Sequence, residues 1–129
     1  MTAYNSTDFD PPAPVTYVTL RNETTGAEWS NVPMQLDTGA DVTLVPQTAV
    51  NKLGLTVISD VQYKLVGFDG SASFAFAVQL KLVFGRGTFR GKYLLIDQNM
   101  GVIGRDILNL VPLLFDGPRL DWSEYRPKK

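Results

Sequence analysis

Met34-Gln35-Leu36-Asp37-Thr38-Gly39-Ala40-Asp41-Val42-Thr43-Leu44-Val45-Pro46 is the stretch on which the reading of this chain turns. An apolar strand runs into Asp37-Thr38-Gly39, and a second short apolar strand, Val42 to Val45, runs out of it. A bare Asp-x-Gly is ordinary turn chemistry, since Asp bonds its own backbone two residues on and Gly accepts unusual dihedrals. The flanking strands are what make this one unusual, because they hold the turn between two buried elements.

Working outward, β-branched and aromatic residues come in short runs broken by turn residues at close spacing, which predicts an all-β chain. Val15 to Arg21 is a strand, Asn22 to Gly26 a turn, and Ala27 to Leu36 the returning strand. After the quoted stretch, Pro46-Gln47 opens a helical turn through Thr48 to Leu53, closed by Gly54, the commonest residue just past a helix end. Gln62 to Phe68 and Ser71 to Phe84 flank Asp69-Gly70, a hairpin signal. In the second of these arms Phe74, Phe76, Val78, Leu80, Leu82 and Phe84 alternate at period two, an apolar face of six positions. Gly85-Arg86-Gly87 turns the chain into Phe89 to Ile96, and Gly104 to Leu110 reads as a second short helix. Val111 to Phe115 and Arg119 to Trp122 close the chain around Asp116-Gly117-Pro118. Residues 1–14, polar and ending in Pro11-Pro12-Ala13-Pro14, read as a flexible N-terminal arm; 15–125 form the domain, and 126–129 a basic C-terminal tail.

Composition removes whole classes of chemistry. The 129 residues suffice for one domain that needs no disulfide or metal to hold a core. With no Cys and no His, Cys/His zinc sites, Ser-His-Asp and Cys-His catalysis are excluded by count, so neither metal nor cofactor is expected. Any catalysis must run on Asp, Glu, Lys, Tyr, Ser or Thr. Twelve basic against thirteen acidic residues, scattered, give no patch for nucleic acid or an anionic membrane. The acidic, proline-containing start is not a signal peptide, which predicts a cytoplasmic protein in which the sequons at Asn5 and Asn22 are chance matches. Gly85 to Gly91 lacks the Lys-Ser/Thr ending of a phosphate loop and lies between strands.

About 60 residues after Asp37 comes Val102-Ile103-Gly104-Arg105-Asp106-Ile107-Leu108, two aliphatics and a glycine leading into a short helix. With LDTGADVTLVP and VIGRDIL in this order and a glycine-containing hairpin between them, residues 15 to 122 resemble the retropepsins, the single-domain, retroviral-type aspartic proteases. The resemblance implies a closed β-sandwich or barrel lobe with one or two short helices, active as a homodimer, with Asp37 facing its symmetry mate and the hairpin of Gly67, Phe68, Asp69 and Gly70 folding over a peptide-binding cleft as a flap.

Chemistry agrees with the need for a second chain. Peptide hydrolysis by carboxylates alone takes two of them about 3 Å apart sharing one proton. This chain has one Asp-Thr-Gly; Asp69-Gly70-Ser71 and Asp116-Gly117-Pro118 lack its pattern, so the second Asp37 must come from a partner copy across a two-fold axis. By resemblance, Thr38 locks the two loops together, Gly39 lets carboxylates and substrate backbone approach, and Ala40 stands where many pepsin-like enzymes place a hydroxyl, which moves the pH optimum to mild acid. Asp41 has two readings, an acceptor for substrate backbone or the ion-pair partner of Arg105, a pair worth about 3 kcal/mol if well buried. Val102 and Ile103 divide between core packing and lining the substrate cleft. For the Gly67 to Gly70 hairpin the plain alternative is a structural turn. Terminal segments, especially Leu120 to Trp122 and the residues around Tyr17, are implied as interface strands.

Three functions of different class follow: a homodimeric aspartic endopeptidase acting on peptide or protein substrates, a non-catalytic retropepsin-like dimerisation or peptide-binding module, and a plain β-barrel for a small ligand. The last leaves VIGRDIL unexplained. The first is favoured, because a scaffold has no need of like charges crowded at a two-fold axis.

Overall fold

The computed structural model describes residues 1–67 and 69–126. Ten strands and two short helices follow one another along them: β1 (Thr2–Ala3), β2 (Val15–Arg21), β3 (Glu28–Leu36), β4 (Leu44–Pro46), α1 (Ala49–Leu53), β5 (Ile58–Val66), β6 (Ala72–Phe84), β7 (Gly87–Ile96), β8 (Gly101–Ile103), α2 (Arg105–Leu108), β9 (Leu113–Asp116) and β10 (Asp121–Glu124). The fold is a closed barrel with a small second sheet.

Closure comes from one extra pairing. The large sheet runs β2-β3-β8-β4-β7-β6-β5, and β2 also pairs with β6 through Thr19↔Val83, Leu20↔Leu82 and Arg21↔Lys81. Six strands therefore form a ring, and β5 hangs outside it on β6. Two parallel pairings, β3 with β8 and β4 with β7, tie together segments far apart in sequence. Alternate residues of the ring strands fill its interior: Val18, Leu20, Val32, Met34, Val45, Val78, Leu80, Leu82 and Ile103 are all but inaccessible to solvent. Gly101 sits where β8 crosses β4, and a Cβ there would lie 2.5 Å from the Leu44 carbonyl oxygen, so only glycine permits the crossing.

The apolar alternation of β6 meets two environments. Val78 to Phe84 face the main core, whereas Phe74 is exposed and Phe76 half-buried; on the opposite face Ala75 and Ala77 are buried with Leu94 in a second, smaller cluster. Residues 72–75 pair with β5 alone and have left the barrel wall, which β6 joins through Ala77 and Val78 on β7, so the six-position face ends at Val78 as a core face. The hairpin loop is also longer than two residues. Val66 pairs with Ala72, and the loop closes through Gly67 N–H to the Ser71 carbonyl at 2.9 Å.

α1 ends as its sequence indicates, with Gly54 in the left-handed conformation at φ 61°. The helix at Gly104 to Leu110 shortens to the four residues of α2. The small sheet has the order β1-β10-β9. β1, and an Asn5–Ala13 bridge with backbone bonds of 2.8 and 3.1 Å, lie in the segment 1–14, where no apolar periodicity announces them. Trp122 is buried in the chain's own core, donates its indole N–H to the Val15 carbonyl and packs beside Phe84, and β10 is paired on both sides over Asp121–Trp122. Residues 121–122 therefore offer no open edge for a partner strand; the edges of this sheet are β1 and β9. The tail beyond Arg126 lies outside the described residues.

Candidate active site

Asp37 leaves β3 at the end of a buried strand, where its N–H donates to the Ile103 carbonyl at 3.0 Å. Its Oδ1 accepts from the Gly39 N–H at 2.9 Å, an Asx turn that aims the carboxylate, and Ala40 N–H returns to the Asp37 carbonyl at 3.2 Å. The side chain is partly accessible, while Thr38, Gly39, Asp41 and Val42 are exposed.

What holds this loop is the segment 103–106. Arg105 N–H donates to the Ala40 carbonyl at 2.9 Å, and its guanidinium donates through Nη1 to the Thr38 carbonyl at 2.7 Å and through Nη2 to the Asp41 carboxylate. The pair lies at the surface, with the Arg105 side chain 42% and the Asp41 side chain 82% exposed, so the 3 kcal/mol of a buried pair does not apply. A deeper tie lies beneath it. The Thr43 hydroxyl, in a residue only 1% exposed, donates to Asp106 Oδ1 at 2.6 Å and accepts from Gly104 N–H at 3.1 Å, and the Thr43 N–H donates to Asp106 Oδ2 at 3.1 Å. Gly104 is pressed against the loop so closely that a Cβ would stand 2.5 Å from the Val42 carbonyl oxygen. Thr43 and Asp106 are site residues that sequence reasoning missed; the signal was a lone hydroxyl inside the apolar run Val42 to Val45 and a carboxylate directly after Arg105.

Beside the loop opens a groove of about 470 Å3, lined by Gly39, Ala40, Asp41, Val42, Leu44 and Leu94 on one side and by Tyr63 to Val66 of β5 on the other. Gly39, Ala40 and Asp41 stand in its wall. Val102 is half-buried opposite Leu44 across the strand pair and so shares that residue's face. Ile103 does not belong with the cleft residues. It is 0% exposed and packs in the core, because neighbours on a strand point to opposite faces. Gly67, Asp69 and Gly70 form the tip of the β5–β6 hairpin beyond the groove lining, and Phe68 lies outside the described residues. Gly70 adopts φ 82°. The Asp69 carboxylate is lowered from its ordinary value by hydrogen bonds from the Ser71 side chain and backbone, which favour the ionised form. Tyr93, behind the site, donates to the Phe89 carbonyl; burial first, and the Asp106 carboxylate second, push its phenol up to about 12. Among the described residues no group of three or more carboxylates could hold a metal ion.

A family model described as retroviral aspartyl protease matches residues 12–114, most of the chain and both anchored segments. The chain belongs to the retroviral aspartyl protease family. Two solved structures share the fold of this family member. EIAV protease complexed with the inhibitor HBY-793 superposes with a TM-score of 0.54 at 22% identity, covering 75% of this chain and 86% of that one. A retropepsin-like aspartic protease from Rickettsia conorii gives a TM-score of 0.50 at 19% identity, covering 81% and 87%. No curated protein is a significant match to the sequence.

Proposed function

We propose that this protein is one half of a homodimeric aspartic endopeptidase in which two Asp37 carboxylates, one from each chain, activate water for hydrolysis of an extended peptide. The observation that carries the reading is the accessible Asp37 carboxylate, held by its own Asx turn on a loop pinned from beneath, beside an apolar groove. Family membership supports it, and so does the shared fold with EIAV protease, which is known in complex with an inhibitor.

The chemistry follows from two like charges in contact. Only one of the paired carboxyls ionises readily, so the working form holds one shared proton. The ionised carboxylate takes a proton from the attacking water while the protonated one donates to the scissile carbonyl; the tetrahedral intermediate collapses as a carboxyl returns a proton to the leaving amine. Activity is then a bell in pH, with the acid limb reporting the first ionisation of the dyad and the alkaline limb the second.

Digestion of a peptide library by the purified protein, beside an Asp37→Asn variant, tests the reading. Cleavage should disappear in the variant with the fold and oligomeric state retained. Cleavage surviving in Asp37→Asn overturns it; peptide binding without cleavage by the wild type indicates the non-catalytic module instead.

A further inference from the structure

The barrel is closed by β4 over only the end of β7, from Leu94 to Ile96. Over residues 88–93 that side of β7 has no neighbouring strand. Along a strand, successive residues turn their N–H and C=O groups to opposite neighbours. The Ile96 carbonyl accepts from the Gln47 N–H at 2.8 Å on the β4 side, and the β6–β7 register is unbroken from Ala77↔Leu94 to Phe84↔Gly87. Counting back by twos, Lys92, Arg90 and Thr88 turn their backbone groups to the open side, where they have no backbone partner among the described residues. Such an edge is a template for one more strand.

A groove of about 360 Å3 lies along this edge, with Asp106, Ile107 and Leu110 lining it together with residues 88–93. Leu110 keeps 68% of its surface in water. Gly91 stands in mid-strand without a bulge, and a Cβ there would meet nothing nearer than the Tyr93 ring at 3.9 Å. Glycine inside a strand often marks the close approach of another backbone. Side chains of an added strand alternate between two faces, as those of β7 do. On one face they meet Arg90, which bonds Glu23 at 2.9 Å, and Lys92, which has no carboxylate within ion-pair distance among the described residues. On the other they meet the space over Gly91 and the apolar Phe89 and Leu110, and the Asp106 carboxylate, bound to Thr43, keeps acidic side chains away. Two cations on one edge also repel a second copy of that edge. We infer that the 88–93 edge of β7 is a docking site for an extended segment of a partner protein in which acidic residues alternate with apolar ones, added to the sheet as a further strand.

The probe is a fluorescein-labelled heptapeptide that alternates Glu with Val, titrated into the full chain carrying Asp37→Asn so that the peptide is not cut. Affinity is read by fluorescence anisotropy, and the place of binding by backbone amide shifts in nuclear magnetic resonance. Binding should saturate, with the largest shifts at the amides of Thr88, Arg90 and Lys92. Arg90→Glu combined with Lys92→Glu should weaken it about tenfold, the scale of two cross-strand charge pairs turned from attraction to repulsion. Lys92→Gln alone should weaken it less and in the same direction, which keeps the test open if the double variant does not fold. Two further peptides, N-methylated on alternate sets of amides, separate strand addition from loose attraction: the set facing β7 should abolish binding and the other set should leave it intact. Equal binding of both methylated peptides, equal binding of an oligoglutamate or an oligothymidylate, shifts confined to the groove beside Asp37, charge variants that bind as well as the parent, or no binding at all overturns the inference.

Discussion

At the scale of single residues, the two ties between loop and helix differ in depth, and depth decides their energetic weight. Arg105→Ala removes an exposed ion pair and a bond to an exposed carbonyl, both of which water replaces, at a cost of about 0–1 kcal/mol. Thr43→Val keeps the shape and removes a buried hydroxyl, leaving the Gly104 N–H without its acceptor, at about 1–3 kcal/mol. Urea unfolding of the two variants should rank Thr43→Val as the more damaging; the opposite rank would place the weight of the site on the surface pair. Tyr93 makes a separate prediction. Its phenol is raised above the ordinary 10, so the folded chain holds that proton longer than the unfolded one. The associated stability is complete below pH 10 and is lost as pH climbs through about 12. Relative to Tyr93→Phe, alkaline unfolding of the wild type should steepen over that window, and its ultraviolet titration should contain a late phenolate component that the variant lacks.

At the scale of elements, the β3–β8 pairing brings Asp37 beside Ile103, and α2 begins where β8 ends. Gly104 is the contact point. Gly104→Ala places a Cβ against two loop carbonyls, those of Val42 and Ala40, which must move to make room. We expect a loss of about 1–3 kcal/mol, typical of overpacking, and, on the endopeptidase reading, a fall in kcat because the displaced atoms belong to the Asp37 loop. Thermal melting and kinetics on the same preparation check both; an unchanged melting temperature with full activity would mean the loop is not held at this point. Strand position also explains what alternation alone could not resolve. The period-two pattern of β6 is continuous, yet Phe74 and Val78 differ in burial because the strand leaves the barrel between them.

At the scale of the whole molecule, one Asp37 per chain makes activity on the endopeptidase reading a property of the assembly, so specific activity should fall on dilution through the dissociation constant. The candidate contact is the open edge of β9, beside which Leu110, Leu114 and Leu120 are exposed. A lysine at Leu114 puts charge on that edge and removes an apolar side chain, and a buried leucine is worth about 1.5–3 kcal/mol. Leu114→Lys should therefore weaken self-association at least about tenfold by sedimentation equilibrium. A wild type active as a monomer at nanomolar concentration would sink the dimer, and an unmoved association constant would move the interface elsewhere.

The all-β class, most of the longer strands, the helix stop at Gly54 and the place of Asp37 between two apolar strands were legible in the sequence, whereas β1 and β8 were not, because side-chain period, turn residues and caps act over a few neighbours and these two short strands exist through their distant partners. The family was legible in two short segments for the same reason. Tertiary structure alone decided the rest. Asp106 meets Thr43 across 63 residues, Ile103 turns inward while Val102 does not, and β10 keeps Trp122 for the chain's own core. Each of these depends on which distant strand lies alongside and on which face closes over it, and the closure of a six-stranded ring by β2 and β6 is written in no local pattern.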